Sequence, residues 1–175
     1  EEPSQVTIVS EDLTVHADYN SSGLYNDIAL VKLPEPLTFN EFMAPVCLPS
    51  YSSPDLPTGT AVTATGWGRT ADDSSISDVL MEVENTIYSL EKCKKYFVSI
   101  DTDETFCTAT DGGHGICNGD SGGPLNYVEG GLSYTRGIAS FVSGGGCESG
   151  NPNGFTRVSA FLDWIETQTG IAIDA

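Results

Sequence analysis

The chain has 175 residues with 25 Asp and Glu against 7 Lys and Arg, a formal net charge of −18. That charge repels phosphate backbones and anionic lipid, so neither nucleic acid nor a membrane is expected as a partner, and no apolar run reaches the ~18 residues of a bilayer span. The start, Glu1-Glu2-Pro3-Ser4-Gln5, reads as neither signal nor transit peptide, and 19 Gly with 9 Pro predict short strands joined by turns, in one domain or two small ones sharing a core.

In chain order, strands are expected at 5–9, 28–33, 60–65, 81–84, 134–141 and 154–158. These stretches are rich in β-branched and aromatic residues and bounded by Gly, Pro, Asn, Asp and Ser. Residues 50–55 and 71–75 read as loops. Ser89 is placed to cap a short helix running through 92–97. Ser159 is placed to cap a terminal helix on which Phe161, Leu162 and Ile165 share a face, with Trp164 flanking and Gly170 ending it. Strands without alternating long helices predict an all-β sandwich or barrel rather than a doubly wound α/β sheet. Asn20-Ser21-Ser22 matches an N-glycosylation sequon; it equally reads as an ordinary turn after Tyr19.

The cysteines are Cys47, Cys93, Cys107, Cys117 and Cys147, with no Cys-x-x-Cys pair, and the two histidines, His16 and His114, are not spaced as zinc-finger ligands. No closed zinc site and no other metal is expected, and disulfides in an oxidising compartment are the better reading, with one cysteine left over.

The stretch from Cys117 to Pro124 carries the chemistry. A serine flanked by glycines can present its hydroxyl on a tight turn while backbone N–H groups gather nearby to bind an oxyanion. Gly119-x-Ser121-x-Gly123 also fits the nucleophile elbow of α/β-hydrolases. In that fold the acid and the histidine follow the serine, whereas no histidine follows Ser121. The longer run, Gly119-Asp120-Ser121-Gly122-Gly123-Pro124, resembles the nucleophile loop of chymotrypsin-like serine proteases. Asn26-Asp27-Ile28-Ala29-Leu30 is similar to that family's triad-aspartate segment, and Pro45-Val46-Cys47-Leu48-Pro49 to its inter-barrel linker. Thr65-Gly66-Trp67-Gly68, Ser140-Phe141, Thr156-Arg157-Val158 and residues 161–165 follow in family order. Within the family, the stretches 113–115, 117–127 and 161–170 most resemble crustacean digestive proteases of the brachyurin (serine collagenase) group.

The resemblance implies an all-β, chymotrypsin-like double Greek-key barrel. Residues 1–47 would be the tail of a truncated first barrel with the linker, 48–158 the second barrel, and 159–175 the terminal helix and tail. It implies bridges Cys93–Cys107 and Cys117–Cys147, with Cys47 free to tie the domain to a propeptide or partner chain. It also implies a secreted, digestive endopeptidase without a cofactor, acting on protein or peptide substrates and met by protein inhibitors. Ser121 would attack the peptide carbonyl, the N–H groups of Gly119 and Ser121 would form the oxyanion hole, and Asp27 would orient a general-base histidine. Gly115 would lie at the base of the primary pocket, Ser140, Phe141 and Val142 on one wall and Asn153 on the other, with Asn118 also binding substrate. No carboxylate stands at Gly115, and Val142 narrows the pocket, so small or medium aliphatic residues are the expected preference.

Two parts of the family pattern are not matched. The histidine segment, Thr-Ala-Ala-His-Cys upstream of the aspartate, has no counterpart, and neither His16 nor His114 is expected to substitute. The Ile-Val-Gly-Gly segment whose freed α-amino group would pair with Asp120 has none either; Glu1 is no replacement, because its charged side chain would be buried at large cost. Asp120, left unpaired, is expected to protonate or turn outward, giving a zymogen-like oxyanion hole. The expectation is a C-terminal fragment, an incomplete gene product or one chain of a cleaved enzyme, inactive alone. The alternative is a non-catalytic protease homologue that binds an extracellular partner.

Overall fold

A computed structural model describes residues 5–174 of the chain; Glu1, discussed above, lies outside them. Six antiparallel strands close into a barrel: β3 (Ala61–Gly66), β4 (Met81–Tyr88), β5 (Thr105–Thr108), β6 (Pro124–Glu129), β7 (Leu132–Phe141) and β8 (Asn153–Arg157), in the order β3-β4-β5-β8-β7-β6. Ahead of them, β1 (Asp12–Val15) and β2 (Ala29–Lys32) form a separate two-stranded antiparallel sheet, with Leu13 opposite Val31. The all-β reading holds, and among the described residues one barrel closes.

Strand alternation explains how the barrel fills. On β3, Val62 and Ala64 point inward while Ala61 faces solvent, the period-2 pattern of a sheet with one buried face. They pack with Ile87, Phe106, Ile116, Leu125, Ala139 and Phe155. The Phe106 and Phe155 rings stack at 5.9 Å. Gly137 makes room for that pair, since a Cβ there would come within 2.7 Å of the Phe106 ring. Gly130 and Gly131, at φ 58° and 82°, form the two-residue hairpin turn between β6 and β7, a conformation that side-chain-bearing residues rarely adopt. Register shifts leave Arg136 and Ser140 of β7 without ladder partners. Such bulges bend a strand and re-aim its side chains.

The short helix α1 (Leu90–Cys93) is capped by Ser89, whose Oγ accepts the Lys92 N–H, and the Cys93–Cys107 disulfide ties it to β5. A second disulfide joins Cys117 to Cys147, and Cys47 is free and half-buried. The terminal helix α2 (Leu162–Thr169) is preceded by a 3-10 turn, Val158–Phe161. Ser159 therefore does not cap α2; it lies inside that turn, and Phe161 stands at the cap position without a side-chain bond. Phe161, Leu162 and Ile165 are buried on Val158 and on Ile28, the anchor of the N-terminal region. Gly170 ends α2 in the left-handed conformation at φ 71°. Beyond it the chain turns back, and the Tyr51 N–H donates to the Asp174 carbonyl at 3.1 Å.

Other expectations need correction. Residues 5–9 form no strand; Val6 and Val9 are exposed and the first strand begins at Asp12. Strand β4 continues to Tyr88, β7 begins at Leu132, and Val158 belongs to the 3-10 turn. The strands β1, β5 and β6 were not anticipated. Asn20 forms an Asx turn, its Oδ1 accepting the Ser22 N–H at 2.9 Å. Among the described residues, no helix is long and apolar enough to cross a membrane.

Candidate active site

Three consecutive residues of β7 organise the region around Ser121. The first, Ala139, holds the serine loop through its backbone. Its carbonyl accepts the Gly122 N–H at 2.8 Å and its N–H donates to Gly123 O at 2.9 Å. Its side chain points into the barrel core. Next, the bulged Ser140 donates from Oγ to Oδ2 of Asp27 at 2.6 Å. The third, Phe141, lies across Gly154, where a Cβ would come within 2.0 Å of its ring, and meets Phe97 edge-on at 4.8 Å. The structure thus fastens Asp27 and the Ser121 loop to neighbouring positions of one strand, although 93 residues separate them in the chain.

Asp27 sits at the centre of a tight turn. The Ile28 N–H bonds the Asn26 carbonyl at 2.8 Å, and Asn26 takes a left-handed φ of 52°. This conformation is uncommon for residues other than Gly, though Asn tolerates it better than most. It is held from outside: Glu104 Oε2 accepts the Asn26 N–H at 2.7 Å, and Thr156 Oγ1 donates to the Asp27 carbonyl at 2.9 Å. Sequence reasoning missed Glu104, since nothing local marks a residue 78 positions away.

Ser121 is exposed on a loop closed by two turns, Asp120 N–H to Cys117 O and Gly123 N–H to Asp120 O. Gly119 has φ 102°, and a Cβ there would crowd Gly68 and Ile76. Among the described residues, the N–H groups of Gly119 and Ser121 have no hydrogen-bond acceptor. Asn118 is exposed, its carbonyl accepting the Arg69 N–H at 2.9 Å.

Asp120 does not turn outward, as one branch of the expectation had it. It is half-buried, and its two carboxylate oxygens accept the N–H groups of Gly68 at 2.8 Å and Cys117 at 2.9 Å. A Cβ at Gly66 or Gly68 would come within 2.1 or 2.4 Å of this carboxylate and displace it. Asp120 opens onto a cavity of about 440 Å³ that is also lined by Glu82, Glu84, Asp111, Glu148 and Arg69.

Asn153 is buried, and its Oδ1 accepts the Ile116 N–H at 3.0 Å while filling the space that a side chain at Gly115 would need. Val142 packs on the barrel core. Neither histidine bonds Asp27 or Ser121 among the described residues. His16 packs against Phe161 and Trp164, with centroids at 5.7 and 5.2 Å, and His114 is exposed beside the 3-10 turn Asp111–Gly113. Asp72, Cys117 and Cys147 converge, but both sulfurs are consumed by their disulfide and Asp72 Oδ1 accepts the Cys147 N–H at 2.7 Å.

Comparison with known proteins places these features in context. The family profile described as Trypsin matches residues 1–165. Brachyurin of Leptuca pugilator is 52% identical over 172 residues, covering 98% of this chain and 73% of that protein. Serine protease 1 of Drosophila melanogaster is 41% identical over 93% of this chain and 60% of its own length. The chain thus spans roughly three-quarters of the crab protein and three-fifths of the fly protein. The solved structure of HL collagenase superposes with a TM-score of 0.82 at 34% identity, covering 94% of this chain and 70% of that one.

Proposed function

The chain belongs to the trypsin family, and on that premise we propose that it carries the nucleophile half of a secreted, digestive serine endopeptidase. The observation that carries this reading is the coupling on β7, where Ala139 holds the Ser121 loop and Ser140 holds Asp27. A merely structural turn does not need a half-buried carboxylate and an exposed serine loop fastened to adjacent residues of one strand. In the proposed reaction Ser121 Oγ attacks the peptide carbonyl, and the Gly119 and Ser121 N–H groups receive the negative charge that develops on its oxygen. Asp27 orients a histidine that takes the serine proton and returns it to the leaving amine.

That histidine would come from outside residues 5–174, because His16 packs on Phe161 and Trp164 and His114 bonds neither Asp27 nor Ser121 among the described residues. Residues 1–47 then correspond to the closing part of a first barrel, and Cys47 is the point at which a propeptide or partner chain attaches. The cavity beside Asp120 receives the α-amino group freed by activation, which would pair with the carboxylate now held by Gly68 and Cys117. In the primary pocket, the uncharged Asn153 beneath Gly115 and the inward Val142 favour small or medium aliphatic side chains. Discrimination by size is worth ~1–3 kcal/mol per methylene.

An active-site phosphonate probe read by mass spectrometry tests the assignment. Labelling of Ser121 is expected only when a histidine-bearing first-barrel polypeptide is supplied, with Ala and Val substrates then cleaved faster than Phe or Arg substrates. Labelling of the isolated chain would overturn the account of the missing base. No labelling under either condition would leave the non-catalytic, partner-binding homologue as the better reading.

A further inference from the structure

We infer that a second cavity, lined by Arg136 and Arg157, binds a small organic carboxylate with a short apolar tail. The cavity has a volume of about 180 Å³ and shares no lining residue with the site around Ser121 and Asp120. Arg136 is one of the two unpaired bulge residues of β7, and it is only 7% exposed. One of its five N–H donors goes to the Pro54 carbonyl, and among the described residues no carboxylate lies within ion-pair distance of it. Burial consequently shifts its guanidinium below the usual arginine range, with neighbouring Arg157 adding to that effect while Asp55 and Glu129 oppose it only partly.

Arg157 lines the same cavity, paired with Asp55 and lying 5.5 Å over the Phe106 ring. Two cations therefore face one carboxylate in a protein whose net charge is −18. A buried charge without a partner is costly, and an anion entering the cavity would remove that cost while satisfying guanidinium donors in the paired geometry arginine favours. The rest of the lining selects the ligand's other end. Leu56, Ile87, Leu90 and Phe106 are apolar, which suits a hydrocarbon tail and not a bare inorganic ion. The space is below the ~300 Å³ at which drug-sized pockets begin, so the tail is short.

The probe is hexanoate, followed through the methyl resonances of Leu56 and Ile87 during titration of the protein. Saturable shifts are expected with hexanoate, weaker binding with acetate, and none with hexylamine. Arg136→Gln should weaken hexanoate binding at least tenfold. Should that variant not fold, Leu56→Phe, which fills the apolar end from a half-buried position, decides the matter and should weaken binding similarly. Absence of saturable shifts, equal binding of hexylamine, or undiminished binding in the variants would overturn the assignment. Sulfate displacing hexanoate at equal concentration would overturn it in favour of a simple inorganic-anion site.

Discussion

Leu13, Val15 and Val31 on the two-stranded sheet are all more than half exposed, while Val62, Leu125 and Phe155 inside the barrel are at most 2% exposed. Both sets of side chains are apolar. What differs is the number of neighbours. Each barrel strand has a partner on both sides and a filled interior opposite, whereas among the described residues β1 and β2 pair only with each other. Two strands without a third or a covering layer are marginal in water. The N-terminal region is held instead by Ile28 on the α2 cluster and by the bonds around Asp27. The residue proposed to orient the catalytic base thus depends on the barrel for its position and not on its own sheet.

The sharpest way to break this contrast is truncation on each side of it. Phe155→Ala should cost ~3–5 kcal/mol, the range for deleting a buried aromatic, whereas Leu13→Ala should stay within about 0.5 kcal/mol; urea unfolding of both variants reads the difference. Comparable losses would mean that the sheet is as much a part of the cooperative unit as the core. Replacing Cys117 and Cys147 by Ser should cost ~2–4 kcal/mol. Removing the Cys93–Cys107 bridge should cost about 0.6 kcal/mol less, because its sequence separation is 14 rather than 30 and loop closure scales slowly with length.

Ser140→Ala tests the fastening of Asp27. It should lower stability by about 1 kcal/mol, the usual worth of one hydrogen bond. Amide exchange should quicken at residues 26–31 and stay unchanged at Val62 and Leu125. Uniform quickening would show that the bond serves the barrel rather than the N-terminal region.

The smallest effect is expected at Tyr51, whose hydroxyl lies 2.7 Å from Asp163 Oδ1 and 2.9 Å from Glu166 Oε2. The bond to Asp163, followed by desolvation and Glu166, raises this phenol above the ordinary tyrosine range. Because the folded value lies above that of the unfolded chain, the stabilisation is complete below pH ~10 and is lost as the pH rises further, where the unfolded state gives up its proton first. The thermal stability advantage of the wild type over Tyr51→Phe should therefore shrink above pH ~10. A constant advantage from pH 8 to 11 would show that the two carboxylates do not hold the phenol.

Legibility followed the range of the signal. The loop around Ser121 and the segment around Asp27 were readable because each is a short run of residues whose types match one chemistry. Strand β3 was readable from its β-branched run bounded by turn residues. Strand β5 was not, since Thr105–Thr108 is buried on every residue and so shows no period. Strand β6 was hidden by Pro124 at its first position, where proline is tolerated but reads as a breaker. Residues 5–9 misled in the opposite direction, because a β-branched run does not supply a partner strand. The contacts Glu104–Asn26 and Tyr51–Asp163 leave no local trace at all, being chosen by how the chain returns on itself.

The bond between the Tyr51 N–H and the Asp174 carbonyl brings the beginning of the barrel's chain and its tail side by side. Residues 51–174 are in effect a circuit already closed in space, and a short Gly-Ser bridge would close it covalently. The ring could then be reopened at Gly130-Gly131, an exposed turn with open space around it, giving a circular permutant with new ends. In such a molecule β6 and β7 would still be neighbours in the barrel while lying at opposite ends of the chain, so the strand that follows the Ser121 loop and the strand that holds it through Ala139 would be carried by the two termini.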